Sequence, residues 1–237
     1  MNAKAIENRD RLIFALDVPD AAAGKTLADE LGDSVSFYKI GLELAMTDGY
    51  FDLLDWLIAR DKKVFIDVKL FDVPATVAAA VRNLAQRGAT FVTIHGNQSI
   101  MEAAAAEKGE LKVLAVTALT SLDRGDLADL GFDCDIPELV LSRARRALEA
   151  GCDGVISSGL EVARLRENID DKLLVITPGI RPVENRPADD QKRVVTVEQA
   201  FSNGADHIVV GRPIRNADSP RAAAEAIQAS IETCFAT

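Results

Sequence analysis

Histidine, cysteine and long apolar runs are all scarce in this 237-residue chain, and each scarcity excludes something. Two histidines, His95 and His207, cannot build a multi-histidine metal centre. The three cysteines (Cys134, Cys152 and Cys234) are odd in number, scattered and outside any CxxC pair. Neither a disulfide framework nor a thiolate metal site is expected from them. No apolar stretch is long enough to span a bilayer, and MNAKAIENRD lacks the apolar run of a signal peptide. The expectation is a reduced, cytoplasmic protein without membrane contact. Basic charge is also in deficit: 27 Lys and Arg against 37 Asp and Glu leave a net −10. A duplex nucleic-acid binder with a broad basic face is thereby excluded. A small anionic ligand is not, because a few local cations suffice for one phosphate.

The 48% hydrophobic share is ample for a core and rules out composition-driven disorder. No Pro/Ser-rich linker, charge block or low-complexity tract divides the chain, so one domain over residues 1–237 is expected. A weak internal repeat sets its organisation. RGATFVTIHG, AGCDGVISSG and NGADHIVVGR share a helix tail, a glycine, two small or polar residues and an apolar run. Gly88, Gly151 and Gly204 read as residues just past a helix end, where positive φ is needed. The runs that follow suit strands covered on both faces. The same grammar yields eight strand candidates: Leu12–Asp17, Ser36–Gly41, Val64–Lys69, Phe91–His95, Val113–Ala118, Gly154–Ser157, Leu174–Thr177 and His207–Gly211. Helix starts fall between them at Asp20, at Thr47 or Asp48, at Pro74 and at Pro137. Strand–helix alternation of this length predicts a (β/α)8 barrel. A doubly wound sheet is the alternative, but no GxGxxG follows the first strand.

Barrel chemistry gathers where strands end. Those ends carry Asp17, Lys39, Asp67 with Lys69, His95, Thr120, Arg181 and Arg212. In the densest stretch, strand alternation puts Asp67 and Lys69 on one face and Val64, Ile66 and Val68 on the other. Asp72 follows just before a helix at Pro74. A structural ion pair closing the barrel end competes with a catalytic reading. Lys39 and Asp17 on neighbouring strand ends weigh against it, since interleaved acids and lysines would keep Lys69 cationic while crowding carboxylates. Gly211 and Arg212 end the eighth strand, where barrels often hold phosphate, with Arg181 as a second cation. A GRP triplet alone equally describes a solvated arginine. His95 is open between orienting its neighbours and acting directly; His207, at the opposite barrel face, is expected to be structural. Arg143, Arg145 and Arg146 are expected on a solvated helix face, Leu53, Leu54, Trp56 and Leu57 in helix packing, and Tyr38 pointing away from the barrel interior.

Asp67-x-Lys69-x-x-Asp72-x-Pro74-x-Thr76 resembles the signature of the orotidine 5′-phosphate decarboxylase family. ALDVP, YKIG, LTS, TPGIRP, DQKR and GRPI follow in that family's order from Leu12 to the last helix. Leu70 and Phe71 depart from its usual aromatic–His pair. The resemblance implies a homodimer of barrels, free of metal and organic cofactor, converting orotidine 5′-monophosphate to uridine 5′-monophosphate (UMP) and CO2. By the same resemblance Lys69 is the proton donor to C6, and Asp67 lies beside the departing CO2. Asp72 and Thr76 are then contributed across the dimer interface. Lys39 and Asp17 complete the charge network and hold the ribose. Thr120 and Ser121 cover the pyrimidine, Gln191 links base and phosphate, and Arg181, Gly211 and Arg212 bind the phosphate. The loops Thr120–Cys134 and Arg181–Thr196 are the expected closing segments. The rivals are a Mg-dependent sugar-phosphate decarboxylase or aldolase on the same barrel, and a non-catalytic phosphoribosyl-binding barrel.

Overall fold

The computed structural model describes residues 4–181 and 194–236. Eight parallel strands close into a barrel in sequence order, with β8 pairing back onto β1. They are β1 (Leu12–Ala15), β2 (Phe37–Gly41), β3 (Lys63–Leu70), β4 (Phe91–His95), β5 (Lys112–Val116), β6 (Gly154–Ile156), β7 (Leu174–Thr177) and β8 (His207–Val210). Around them run α1 (Ala21–Leu31), α2 (Leu42–Ala45), α3 (Tyr50–Ile58), α4 (Pro74–Gln86), α5 (Gln98–Glu107), α6 (Arg124–Asp129), α7 (Ile136–Glu149), α8 (Val162–Asn168), α9 (Val197–Ser202), α10 (Arg212–Arg215) and α11 (Pro220–Phe235).

Local signals explain these boundaries. The Asp20 carboxylate accepts from the Ala23 N–H and caps α1. Asp135 and Glu138 form a reciprocal capping box on α7, where Pro137 occupies the first turn. Gly88, Gly151 and Gly204 have φ of 79°, 83° and 98°, the left-handed conformation the repeat requires. One start differs: α3 begins at Tyr50 behind Gly49, not at Thr47 or Asp48, because Leu42–Ala45 first makes its own short turn of helix. β1 ends at Ala15, leaving Asp17 in the loop above it.

Alternation along the strands divides the apolar residues into two cores. Ile13, Ala15, Phe37, Phe65, Phe91, Leu114, Leu174, Ile176 and Val209 fill the barrel. Phe14, Tyr38, Val64, Ile66 and Val92 face outward with Leu53, Leu54, Leu57, Val77 and Val81 of the helices, and Trp56 packs at the edge. His207 is structural, as expected: it is buried, its Nδ1 lies 2.8 Å from the Asp10 carbonyl, and it sits edge-on to Phe37 and Phe91. Burial pushes its pKa down to about 4. Arg143 corrects an expectation. Arg145 and Arg146 are exposed, but Arg143 folds inward and donates to the Thr117 carbonyl at 2.6 Å. It ties α7 to the end of β5, and burial lowers its pKa.

Candidate active site

The site begins with an irregularity in β3. Its pairing with β4 runs Phe65↔Phe91 and Ile66↔Val92, then resumes only at Leu70↔Ile94. Asp67, Val68 and Lys69 therefore stand opposite the single residue Thr93, which bulges the strand. Lys69 takes up the extra length with φ 50°, a left-handed conformation rare outside glycine. Asp67 and Lys69 do reach the same cavity. The alternation that the spacing suggests holds through the bulge: Val64, Ile66, Val68 and Leu70 pack with the outer core, and Phe65 lies inside the barrel.

Four charged groups then alternate across the barrel mouth. The Lys39 Nζ on β2 lies 2.9 Å from Asp17 Oδ1 and 3.6 Å from Asp67 Oδ2. Lys69 Nζ lies 2.8 Å from Asp67 Oδ1. Gly41 leaves room for this chain: a Cβ there would stand 3.0 Å from Lys39 Nζ and 3.3 Å from Asp17 Oδ1. Burial alone would push the Asp67 carboxyl up. Lys39 and Lys69, with the hydrogen bonds from Lys69 and Thr93, outweigh burial and hold it below its ordinary value. Asp67 is thus an anion locked between two cations.

The charged chain forms one wall of a cavity of about 530 Å³. Thr120 and Ser121 beyond β5, Arg181 beyond β7, and Gly211 and Arg212 beyond β8 line the rest. Arg181 is buried, and its Nη1 donates to the Ile180 carbonyl at 2.8 Å. A parallel bridge joins Ile180 and Val195. Gly211 passes close to the first strand; a Cβ there would stand 3.2 Å from that of Ala15. An anion at this end would meet Arg212 and a backbone free of side-chain bulk. Among the described residues no group of three or more His, Cys, Asp or Glu is placed to hold a metal ion.

Asp17, Lys39, Asp67, Lys69, Thr120, Ser121, Arg181, Gly211 and Arg212 are therefore brought together. Asp72 and Thr76 are exposed and do not line the cavity; Asp72 accepts from the Val73 N–H at 2.6 Å. Gln191 lies outside the described residues, as does most of the Arg181–Thr196 loop. Thr120–Cys134 contains the short helix α6, opened by a capping box at Asp123. His95 is the last residue of β4, and its ring lies 4.5 Å from that of Phe71. Burial and the nearby Arg143 lower its pKa, and its Nδ1 has no hydrogen-bond partner among the described residues. Sequence reasoning missed Arg215 and Glu43, which also line the cavity. It also missed Thr93. Arg215 donates to the Asp17 carbonyl, and its place one turn beyond Arg212 was the available signal.

Fold and site together define a class, the (β/α)8 barrels whose ionisable groups sit at the C-terminal rim. Residues 10–227 match the model of the Orotidine 5'-phosphate decarboxylase / HUMPS family. The orotidine 5'-phosphate decarboxylase of Methylococcus capsulatus is 66% identical over 236 residues, 100% of this chain and 98% of the relative. That of Stenotrophomonas maltophilia is 51% identical, covering 98% of this chain and 96% of the relative. The crystal structure of the Lactobacillus acidophilus orotidine 5'-phosphate decarboxylase superposes with a TM-score of 0.84 at 36% identity, over 94% of this chain and 99% of that one. The chain belongs to the orotidine 5′-phosphate decarboxylase family.

Proposed function

We propose that this chain, one barrel domain acting in the cytoplasm, decarboxylates orotidine 5′-monophosphate to UMP and CO2, the last step of de novo UMP synthesis. The observation that carries the reading is the Asp17–Lys39–Asp67–Lys69 chain inside a cavity that also presents Arg181 and Arg212. Loss of CO2 from C6 of the pyrimidine leaves an electron pair in the ring plane, with no conventional electron sink. An ammonium fixed at that carbon stabilises the developing charge and then gives up its proton. Lys69 is assigned that role, and Asp67 and Lys39 fix where its Nζ stands. Asp17 and Lys39 hold the ribose hydroxyls, Thr120 and Ser121 cover the base, and Gln191 links base and phosphate. Arg181, Gly211 and Arg212 take the phosphate, whose binding energy is used at the reacting end.

Asp72 and Thr76 are assigned to the site of a second copy. Their distance from their own cavity supports this, and so does the apolar surface around them. Phe71 and Val73 flank Asp72 at 63% exposure each. Apolar exposure beside a site is typical of a surface that a partner covers.

The reading includes no cofactor, and that separates it from a Mg-dependent sugar-phosphate decarboxylase or aldolase. Purified protein is expected to consume orotidine monophosphate, followed by its absorbance, at the same rate with and without EDTA. Turnover abolished by chelation would support the metal-dependent rival, and no turnover at all the non-catalytic barrel. Arg212→Ala is expected to weaken UMP binding by about 10- to 100-fold, the loss of a charge-assisted contact. Calorimetry showing unchanged affinity would remove Arg212 from the phosphate site.

A further inference from the structure

Thr93 is the only β4 residue facing the bulge, and both of its hydroxyl's hydrogen-bonding roles are used there. It is fully buried. Its Oγ1 donates to Asp67 Oδ1 at 2.9 Å and accepts from the Lys69 backbone N–H at 3.0 Å. A hydroxyl has one proton to give and lone pairs to spare, so the two bonds are mutually compatible. The Ile66 carbonyl, at 3.5 Å, is the weaker competing acceptor. One side chain thus holds the acid and the backbone of the lysine that the acid pairs with.

That backbone needs holding. Lys69 has a left-handed φ of 50°, and the β3–β4 ladder is interrupted from Ile66 to Leu70. A non-glycine residue keeps such a conformation only where its surroundings over-determine it. The bond from the Lys69 N–H to Thr93 stands where the ladder bond is missing. Without it, the residue has a reason to relax toward a regular strand, which would move Nζ away from its place 2.8 Å from Asp67.

We infer that Thr93 is a positioning residue for the decarboxylation, locking the Asp67 carboxylate and the left-handed Lys69 backbone in one geometry. The inference rests on the assignment of Lys69 as proton donor. Thr93 itself does not line the cavity, so it acts through Asp67 and Lys69. The low-lying Asp67 pKa is consistent with it, since the Thr93 hydrogen bond is among the causes.

The test is Thr93→Val, which keeps shape and removes the hydroxyl, beside Thr93→Ser, which keeps the hydroxyl. The Val variant is expected to lose about 10- to 100-fold in kcat, the value of a hydrogen bond to a charged group. UMP affinity is expected to hold, and Ser to restore kcat. Unchanged kcat in the Val variant overturns the inference. So does an equal loss in the Val and Ser variants, or a parallel loss of UMP affinity, which marks a general disturbance of the frame. Should the Val protein not fold by circular dichroism, Thr93→Cys against Thr93→Ser makes the same comparison with a weak hydrogen-bonding group. Lys69→Ala in the same assay separates the two readings. If it is active, the proton-donor assignment fails. If it is inactive while Thr93→Val is fully active, only the role of Thr93 fails.

Discussion

Lys69→Ala is expected to lower kcat by about 10⁴-fold or more, because the change removes both the general acid and the cation facing the developing carbanion. The two contributions arise at the same atom, so a single substitution takes both. UMP should still bind, since the phosphate contacts assigned to Arg181 and Arg212 lie across the cavity. The fold should persist as well. Asp67 would keep Lys39 at 3.6 Å and the Thr93 hydroxyl at 2.9 Å, so its buried charge would not be stranded. Absorbance assays for kcat, calorimetry for UMP and circular dichroism for the fold check the three parts. A variant that turns over near the wild-type rate would show that Lys69 does not protonate C6.

Asp72→Ala is expected to cost about 10²- to 10³-fold in kcat, although Asp72 is exposed within its own chain and outside its own cavity. The effect should act on the other subunit's site. Mixing two inactive variants, Lys69→Ala and Asp72→Ala, under conditions that exchange subunits gives a direct readout. In a mixed dimer one site carries both defects and the other neither. Random exchange should therefore recover roughly a quarter of wild-type activity, by the symmetry of a two-fold interface. No recovery, in a sample that sedimentation shows to have exchanged, would place Asp72 with its own chain. Fully wild-type activity of Asp72→Ala alone would remove it from the chemistry.

Much of this site is legible in the chain because barrels put chemistry at strand ends, and strand ends can be counted. Asp17, Lys39, Asp67, Arg181 and Arg212 each follow an apolar run whose length locates them. The phosphate side depends on Gly211 and Arg212 directly after HIVV, a purely local pattern. The inward turn of Arg143 is not legible in this way. Helical position does place it between solvent and core, but whether its guanidinium bends inward depends on the Thr117 carbonyl, 26 residues earlier. Asp72 and Thr76 have an address that no reading of one chain supplies, because the side chains they are proposed to meet belong to another copy.

The alternation, the two-sided strands and the order of charged strand ends are written locally in the chain, because periodicity and capping act over a few residues. Scarcity of histidine and cysteine also took on meaning there, since chemistry by lysines and aspartates has little use for either. How those charges meet depends on closure of the barrel. Alternation puts Lys69 on the cavity side, but a lysine has no left-handed preference of its own. Its conformation follows from β3 having three residues where β4 has only Thr93, a mismatch set by the register on both sides of the bulge. Thr93 looks like an ordinary strand threonine until barrel closure sets it 2.9 Å from a carboxylate 26 residues away. Register is a property of the closed sheet, and so the hydrogen bonds that fix the reacting geometry are too.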